Sequence, residues 1–410
     1  MSGKKIITGI DVGTTKIVSI IAEYDDDMIS IVGLGESKSN GLERGVIVNI
    51  EKTIKSLQDA IFESEKQCKH KVESVFIGIS GDHIRCGNGN GVLSVSDTNM
   101  SIGKVIEEDD KKRVLQSAKP VNLPLDRRIL HVLSQHYKVD DRQENIVDPL
   151  GLTGNRLEAN VHYVTSSKKT ENDFITCFNE LDIDINGFVL EPLASSYSIL
   201  NNDEKELGTI MIDIGGGTTD VVIWKNGGIK HTYIVPKGGQ ILTRDIATVF
   251  KCSISAAERL KIKYGCAVEG LAKDENVIVK SRDGIDKEIN LQVLSKVIQD
   301  RMVEILREVK FEIEKHISIN QLSFGIVITG GGAKLCNISE IAENIFKTNI
   351  RIGSPSKIDS INNRIFNPRY STSIGLIHYA ADNKDRISNS IHKNSNIFQV
   401  FFRNIKDLFN

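Results

Sequence analysis

Two stretches of this 410-residue chain share one unusual pattern. Residues 11–15 read Asp-Val-Gly-Thr-Thr and residues 213–219 read Asp-Ile-Gly-Gly-Gly-Thr-Thr, and β-branched apolar runs flank both. An apolar run, an aspartate, a Gly/Thr turn and a second apolar run describe a β-hairpin with a glycine-rich tip. Two copies roughly 200 residues apart predict a duplicated fold built from two related lobes. Helical and strand-like segments alternate around both copies. The stretch 84–163 differs in texture: three β-like runs surround one helical run, EEDDKKRVLQSA, which reads as a small α+β insertion.

Glycine lets backbone N–H groups come close to phosphate oxygens, and several N–H groups pointing inward make a phosphate cradle. Two such tips facing each other could clamp a triphosphate, with Asp11 and Asp213 meeting the Mg2+ that travels with it. Mg2+ keeps most of its waters, so both carboxylates are expected to act through the hydration shell. A lone Gly-Thr turn is commonly a plain hairpin. The matched aspartates, and a third glycine run in ITGGGA (328–333), favour the nucleotide reading. Competing motifs fail, because neither Gly3-Lys4 nor Gly103-Lys104 is followed by Ser or Thr. Gly87-Asn88-Gly89-Asn90-Gly91 precedes a strand rather than a helix and reads as a flexible hairpin tip.

With 52 Lys+Arg against 54 Asp+Glu, the formal charge is -2, which gives no basic excess for a nucleic-acid backbone. No apolar run is long enough to span a bilayer, and the N-terminus lacks the apolar core of a secretory signal. The six cysteines form no C-x-x-C pair and read as reduced thiols of a cytosolic protein. His83, His131, His136 and His162 show no metal-ligating or nucleophile spacing.

The ordered set GIDVGTTK (9–16), IDIGGGTTD (212–220) and ITGGGA resembles the two phosphate motifs and the adenosine motif of the actin/Hsp70/sugar-kinase superfamily. EPLASSYSIL (191–200) and STSIGLIHYA (371–380) resemble its two connecting helices. More narrowly, GLERGVIVNI, RILHVLSQHYKVD, DPLGLTGNRLEANVH, VPKGGQILTRDIA and AERLKIKYGCA resemble segments of the FtsA family of bacterial cell division proteins. That resemblance covers essentially the whole chain. It implies a two-lobed α/β actin-like ATPase fold with a small α+β insertion domain and a C-terminal amphipathic helix. The lobes would be 1–83, completed by 164–193 and 372–381, and 194–235 with 310–371. The insertion would be 84–163, a subdomain 236–309, a linker 382–394 and a membrane-targeting segment 395–410.

Carried over by position, Gly13, Thr14, Thr15 and Lys16 would form the first phosphate loop, and Gly215, Gly216, Gly217 and Thr218 the second. Gly238 and Gly239 would lie near the sugar-phosphate, Glu258 and Lys261 near the ribose or base, and Gly331, Gly332 and Ala333 over the adenosine. By spacing alone, Glu258 and Lys261 read equally as a solvated i,i+3 ion pair. Glu191 is the candidate for orienting a hydrolytic water, with Asp213 second; an acidic residue at a helix N-terminus is its other reading. Any ATPase activity is expected to be weak, with ATP and Mg2+ acting mainly as structural cofactors.

The resemblance also implies a polymer that anchors filaments of the tubulin homologue FtsZ to the cytoplasmic membrane at the septum. Later division proteins would be recruited there. The FtsZ C-terminal tail would meet 236–309, with Arg301 as a basic neighbour or a solvated surface residue. In the tail, Ile397, Phe398, Phe401, Phe402, Ile405, Leu408 and Phe409 fall on one helical face, with Arg403 and Lys406 opposite. That pattern suits an in-plane helix on an anionic membrane, or a helix docked on the protein's own core. The rival reading of the whole chain is a small-molecule phosphotransferase or phosphatase of the same superfamily.

Overall fold

The computed structural model describes residues 4–25, 28–95, 103–141, 143–280, 284, 286–355 and 358–383. The residues of the linker beyond Asn383 and the tail at 395–410, with all seven apolar residues named for the membrane, lie outside these.

The hairpin pattern folds as its sequence requires, twice. Lys5–Val12 pairs antiparallel with Lys16–Asp25, in register from Lys5 opposite Tyr24 to Val12 opposite Ile17, leaving residues 13–15 as the tip. Thr209–Ile214 pairs in the same way with Thr219–Lys225, Ile214 facing Thr219 across residues 215–218. A third strand follows antiparallel in each lobe: Met28–Lys38 in the first and Gly228–Val235 in the second. On the other side of each leading strand the pairing turns parallel. Lys5–Val12 is followed by Ser74–Ile79 and Asp184–Leu190, and Thr209–Ile214 by Ile326–Thr329 and Ile350–Ile352. The two sheets therefore share one topology, the duplication that the repeated turn predicts.

Strands buried on both faces read as near-continuous apolar runs. Thr209–Ile214 is buried along its whole length, and Lys5–Val12 along its last six residues. Helix Glu191–Ile199 and helix Ser371–Asp382 lie between the sheets. One apolar cluster runs through them from Ile7 and Ile20 of the first lobe to Met211 and Val327 of the second. The 24-residue helix Leu291–Glu314 crosses the second lobe and buries Leu294, Ile298, Met302, Ile305 and Val309. Their spacing of three and four keeps them on one face.

The insertion is a four-stranded antiparallel sheet ordered Gln143–Ile146, Arg127–Val139, Arg156–Ser167, Arg85–Ser94. Helix Glu108–Ser117 packs on it through Val114, over a core with Tyr137, Val139, Leu157 and Val161. One expectation is corrected here. Gly87, Gly89 and Gly91 are no hairpin tip but lie inside strand Arg85–Ser94, paired along their length with Arg156–Ser167. A Cβ on Gly91 would meet the Val114 carbonyl at 2.3 Å, and one on Gly89 the Ala118 carbonyl at 2.4 Å. Glycine stands there so that the helix can lie directly on the strand.

The two helices between the lobes meet more closely than side chains allow. A Cβ on Gly375 would sit 1.8 Å from the Ala194 carbonyl oxygen. In an ordinary helix interior, glycine to alanine is stabilising by about 1 kcal/mol. Here Gly375→Ala should instead destabilise the protein by about 1–3 kcal/mol, the usual cost of overpacking. A urea midpoint equal to or above that of the parent would show that these helices part freely.

Candidate functional site

The two hairpin tips touch. A Cβ on Gly216 would lie 2.4 Å from Thr15 Cγ2, and one on Gly217 would lie 2.4 Å from Thr14 Oγ1. The Thr14 hydroxyl accepts the Gly45 N–H at 3.2 Å, which fixes the first tip to the neighbouring turn. Gly215–Thr218 is held from behind: Gly239 N–H donates to the Gly215 carbonyl at 2.9 Å, and Gln240 N–H to the Gly216 carbonyl at 2.8 Å. Gly238 permits this, since a Cβ there would meet the carbonyls of Gly215, Gly216 and Thr218 at 2.7–2.8 Å. Gly238 and Gly239 thus begin the helix Gly239–Val249 that buttresses the second tip.

Lys261 extends that support. Its Nζ donates to the Gly239 carbonyl and to Thr243 Oγ1, both at 2.8 Å, and pairs with Glu258 at 2.8 Å. Glu258 in turn accepts from the Thr243 hydroxyl. The i,i+3 pair is therefore present, but tied to the start of the buttressing helix rather than free in solvent. The third glycine run packs on the end of strand Thr209–Ile214: Gly330, at φ 84°, leaves room for Asp213 Oδ1, and a Cβ on Gly332 would meet Ile214 Cγ2 at 2.3 Å. Gly331, Gly332 and Ala333 form a short turn, Gly331–Lys334.

A cavity of about 520 Å³ opens beside the first tip, lined by Thr15, Lys16, Glu36, Glu258, Arg369 and Tyr370 among others. Its volume lies in the range of small-ligand sites. Glu36 braces its wall, accepting from Arg369 at 2.6 Å and from the Tyr370 hydroxyl at 2.7 Å. Arg301 stands apart from this cleft. It is paired with Asp245 at 2.7 Å and with Glu304, so its charge is already engaged within the protein.

Four carboxyl groups gather where the lobes join. Asp11 pairs with Lys16 Nζ at 3.3 Å. Asp213 accepts from Ser195 Oγ at 2.7 Å and Thr372 Oγ1 at 3.4 Å, one residue from each inter-lobe helix. Asp220, directly across the hairpin from Asp213, accepts from Ser80 Oγ at 2.7 Å and Thr218 Oγ1 at 3.3 Å. Glu191 opens its helix nearby. Burial pushes Asp213 up to about 6, with Asp11 adding to the rise and the Ser195 hydroxyl opposing it. Burial, together with Asp213 and Asp11, pushes Asp220 up to about 8. Burial and then the carboxyls of Asp11, Asp220 and Asp213 hold Glu191 well above the ordinary range, with Lys16 opposing. So much desolvated acid around one lysine is an environment that a bound cation would stabilise.

Asp220 was legible but not singled out in the sequence: a hairpin with a four-residue tip puts it opposite Asp213. Ser195 and Thr372 were not legible, because 177 residues separate them before the helices bring their hydroxyls to 2.9 Å.

The raised carboxyls of Asp213, Asp220 and Glu191 set a pH dependence. The folded protein holds protons that the unfolded chain releases, so their contribution is full below the ordinary carboxyl range and is lost as pH rises through the folded values. The buried histidines, held below their usual value, contribute the opposite slope, but only below about pH 6.5. Between about pH 7 and 8, the cation-free protein should lose stability at up to about 1.4 kcal/mol per pH unit through Asp220, since Asp213 is already ionised there. Asp220→Asn should flatten the slope. Urea midpoints across that window measure it; a parent profile already flat would mean that Asp220 is ionised at neutral pH.

A family model described as "Cell division protein FtsA" matches residues 210–375, and one described as "SHS2 domain inserted in FTSA" matches residues 81–165. The cell division protein FtsA of Pseudomonas aeruginosa is 38% identical over 395 residues, covering 95% of this chain and 93% of that one. FtsA of Neisseria meningitidis is 36% identical over 382 residues, covering 92% and 90%. FtsA of Escherichia coli K12 is 34% identical over 389 residues, covering 92% and 91%. Among solved structures, the PilM–PilN type IV pilus biogenesis complex matches with a TM-score of 0.64 at 12% identity, covering 92% of this chain and 98% of that one. MreB5 of Spiroplasma citri bound to AMPPNP matches with a TM-score of 0.57 at 15% identity, covering 94% and 99%. At such identities these structures bear on the fold alone, which is that of the actin-like ATPases. The chain belongs to the FtsA family of cell division proteins, with the family's inserted SHS2 domain seated in an actin-like two-lobed fold.

Proposed function

We propose that this protein is an ATP-binding actin homologue that polymerises, anchors FtsZ filaments to the cytoplasmic membrane and recruits later division proteins at the septum. The observation that carries the nucleotide part is the contact of the two aspartate-led tips across the lobe junction. Backbone amides from Gly13–Thr15 and Gly216–Thr218, with the Lys16 ammonium, are the donors for the phosphates, while the Gly215 N–H closes the second tip on the Thr218 carbonyl. Glu258, Lys261 and the turn at Gly331–Ala333 stand on the adenosine side.

The carboxyl cluster is an all-oxygen donor set of excess negative charge, which suits Mg2+ rather than a thiophilic ion. Asp11 and Asp213 would hold it, with Asp220 and Glu191 behind them. Bound there, Mg2+ supplies charge neutralisation for the phosphates. Glu191 and Asp213 are the groups placed to orient water. Both are held toward the protonated form without a cation, in keeping with slow hydrolysis and a nucleotide that serves assembly. Of the relatives in fold, MreB5 has been solved with AMPPNP and with ADP.

The division of labour follows the chain. The insertion at 84–163 carries neither hairpin tip nor the third glycine run, and we assign it to contacts with the next subunit or with other division proteins. Residues 236–309 are the surface for the acidic FtsZ tail. An acidic peptide reaching Arg301 would have to displace Asp245 or Glu304, while exposed Val249 and Ile262 offer apolar surface in the same region. The tail helix would lie in the membrane plane. Its seven apolar side chains offer roughly 1.5 kcal/mol each, offset by about 1 kcal/mol for each ordered residue. Single tails would then bind weakly and a polymer firmly, through avidity.

Gly216→Asp puts a carboxylate between the tips and should weaken ATP binding by at least about tenfold, equivalent to about 1.4 kcal/mol. Lys16→Ala removes one charged donor and should cost about 1.5–3 kcal/mol. Calorimetry on both variants, with circular dichroism to verify folding, tests the clamp; undiminished affinity in both would overturn it.

Phe401→Glu places a charge in the apolar face of the tail. Co-sedimentation with anionic liposomes should fall to background while ATP affinity stays at the parent value. Unchanged co-sedimentation would mean that another surface is the anchor.

A further inference from the structure

Away from the nucleotide cleft, three side chains converge behind the strand on which the insertion rests. His231 lies on Gly228–Val235, Glu312 in the last turn of helix Leu291–Glu314, and His316 just beyond that helix. His231 is 8% exposed, and its Nε2 is buried without a hydrogen-bond partner. That nitrogen faces Glu312 Oε1 at 3.6 Å, and His316 Nε2 reaches the same oxygen at 3.4 Å. All three donor atoms lie within 4.8 Å of one another. Lys315 engages the other Glu312 oxygen at 2.6 Å, which leaves Oε1 for the two imidazoles.

We propose that His231, Glu312 and His316 form a binding site for zinc or a similar first-row divalent ion. Two imidazoles and one carboxylate are a borderline N/O donor set that zinc accepts, whereas Mg2+ prefers oxygen alone. Ligands about 2.0–2.1 Å from a tetrahedral ion stand about 3.3–3.4 Å from each other. The two spacings to Glu312 Oε1 are already close to that. A lone buried imidazole nitrogen costs free energy when it has no partner, and a metal ion would satisfy it.

One rearrangement is required. The His231 and His316 rings are stacked, 3.5 Å between centroids and 20° between planes. An ion must lie near the plane of each ring it binds, so one ring has to turn. His316 is the one free to do so: its side chain is 35% exposed and its backbone lies past the end of the helix. Its exposure also leaves the fourth position open to water.

The site's place in the fold gives the ion a structural role. Thr232, next to His231, holds the insertion twice: its hydroxyl meets His162 Nε2 at 2.9 Å, and its carbonyl accepts from Cys86 Sγ at 2.9 Å. His162 is fixed on its other side by Asn88 Oδ1 at 2.8 Å. Gln135 of the insertion donates to the Ile229 carbonyl at 2.8 Å on the same strand. A metal at His231 would therefore tie the end of the long helix to the strand that seats the insertion.

The test uses the full chain, stripped with chelator and titrated with zinc chloride by calorimetry, with cobalt(II) as a spectroscopic probe. The expected result is one equivalent bound in the micromolar range or tighter, a visible cobalt band of tetrahedral N/O ligation and a zinc-dependent rise in the unfolding midpoint. His316→Gln should weaken zinc by more than about 100-fold, since even residues behind a ligand contribute about 10–100-fold, and should leave ATP affinity unchanged. Because His316 is on the surface, this variant keeps the test valid if His231→Gln fails to fold. Absence of zinc binding by the parent would overturn the proposal. Zinc binding retained in full by His316→Gln would also overturn it, since the ion would then be held elsewhere.

Discussion

Gly375 has no side chain, and the Ala194 carbonyl occupies the place one would fill. That backbone contact sets the separation of the two inter-lobe helices, and much of the molecule is positioned from it. The helices carry the apolar cluster that joins the lobes. They also carry Ser195 and Thr372, whose hydroxyls converge on Asp213. A wider crossing would separate those hydroxyls from the carboxylate and the two hairpin tips from each other. Packing at one glycine thus governs the electrostatics of a site on the neighbouring strands.

The site is a concentration of unfavourable charge held in place by favourable packing. Asp11, Asp213 and Asp220 sit on strand ends that the hairpins bring together, and Glu191 begins a helix that the core holds. Hydroxyl donors from Ser80, Ser195, Thr218 and Thr372 supply polar partners without supplying positive charge. Lys16 is the cation that faces them. A bound cation would offset part of that charge, and by mass action it would add to the stability of the folded chain.

A second polar assembly occupies the seam between the insertion and the second lobe. There the partners are histidines, an asparagine, a threonine and a cysteine, facing across strands that are far apart in sequence. Unlike the carboxyl cluster, it is built from neutral groups around the buried His162.

The sequence by itself determined the two sheets and the place where they meet. A hairpin tip is a local structure: its glycines, its register and the aspartate at its entrance depend on residues within about ten positions of one another. The duplication made the architecture legible because the same local rule appears twice. Gly87, Gly89 and Gly91 were misread because glycine signals a turn and a close helix-on-strand contact equally well. Only the position of helix Glu108–Ser117 distinguishes the two. The tertiary structure alone decided the Ser195–Asp213–Thr372 contacts, the pairing of Arg301 with Asp245, and the convergence of His231, Glu312 and His316. Each joins residues from elements whose relative placement is set by packing across the core, and no spacing along the chain encodes such a meeting.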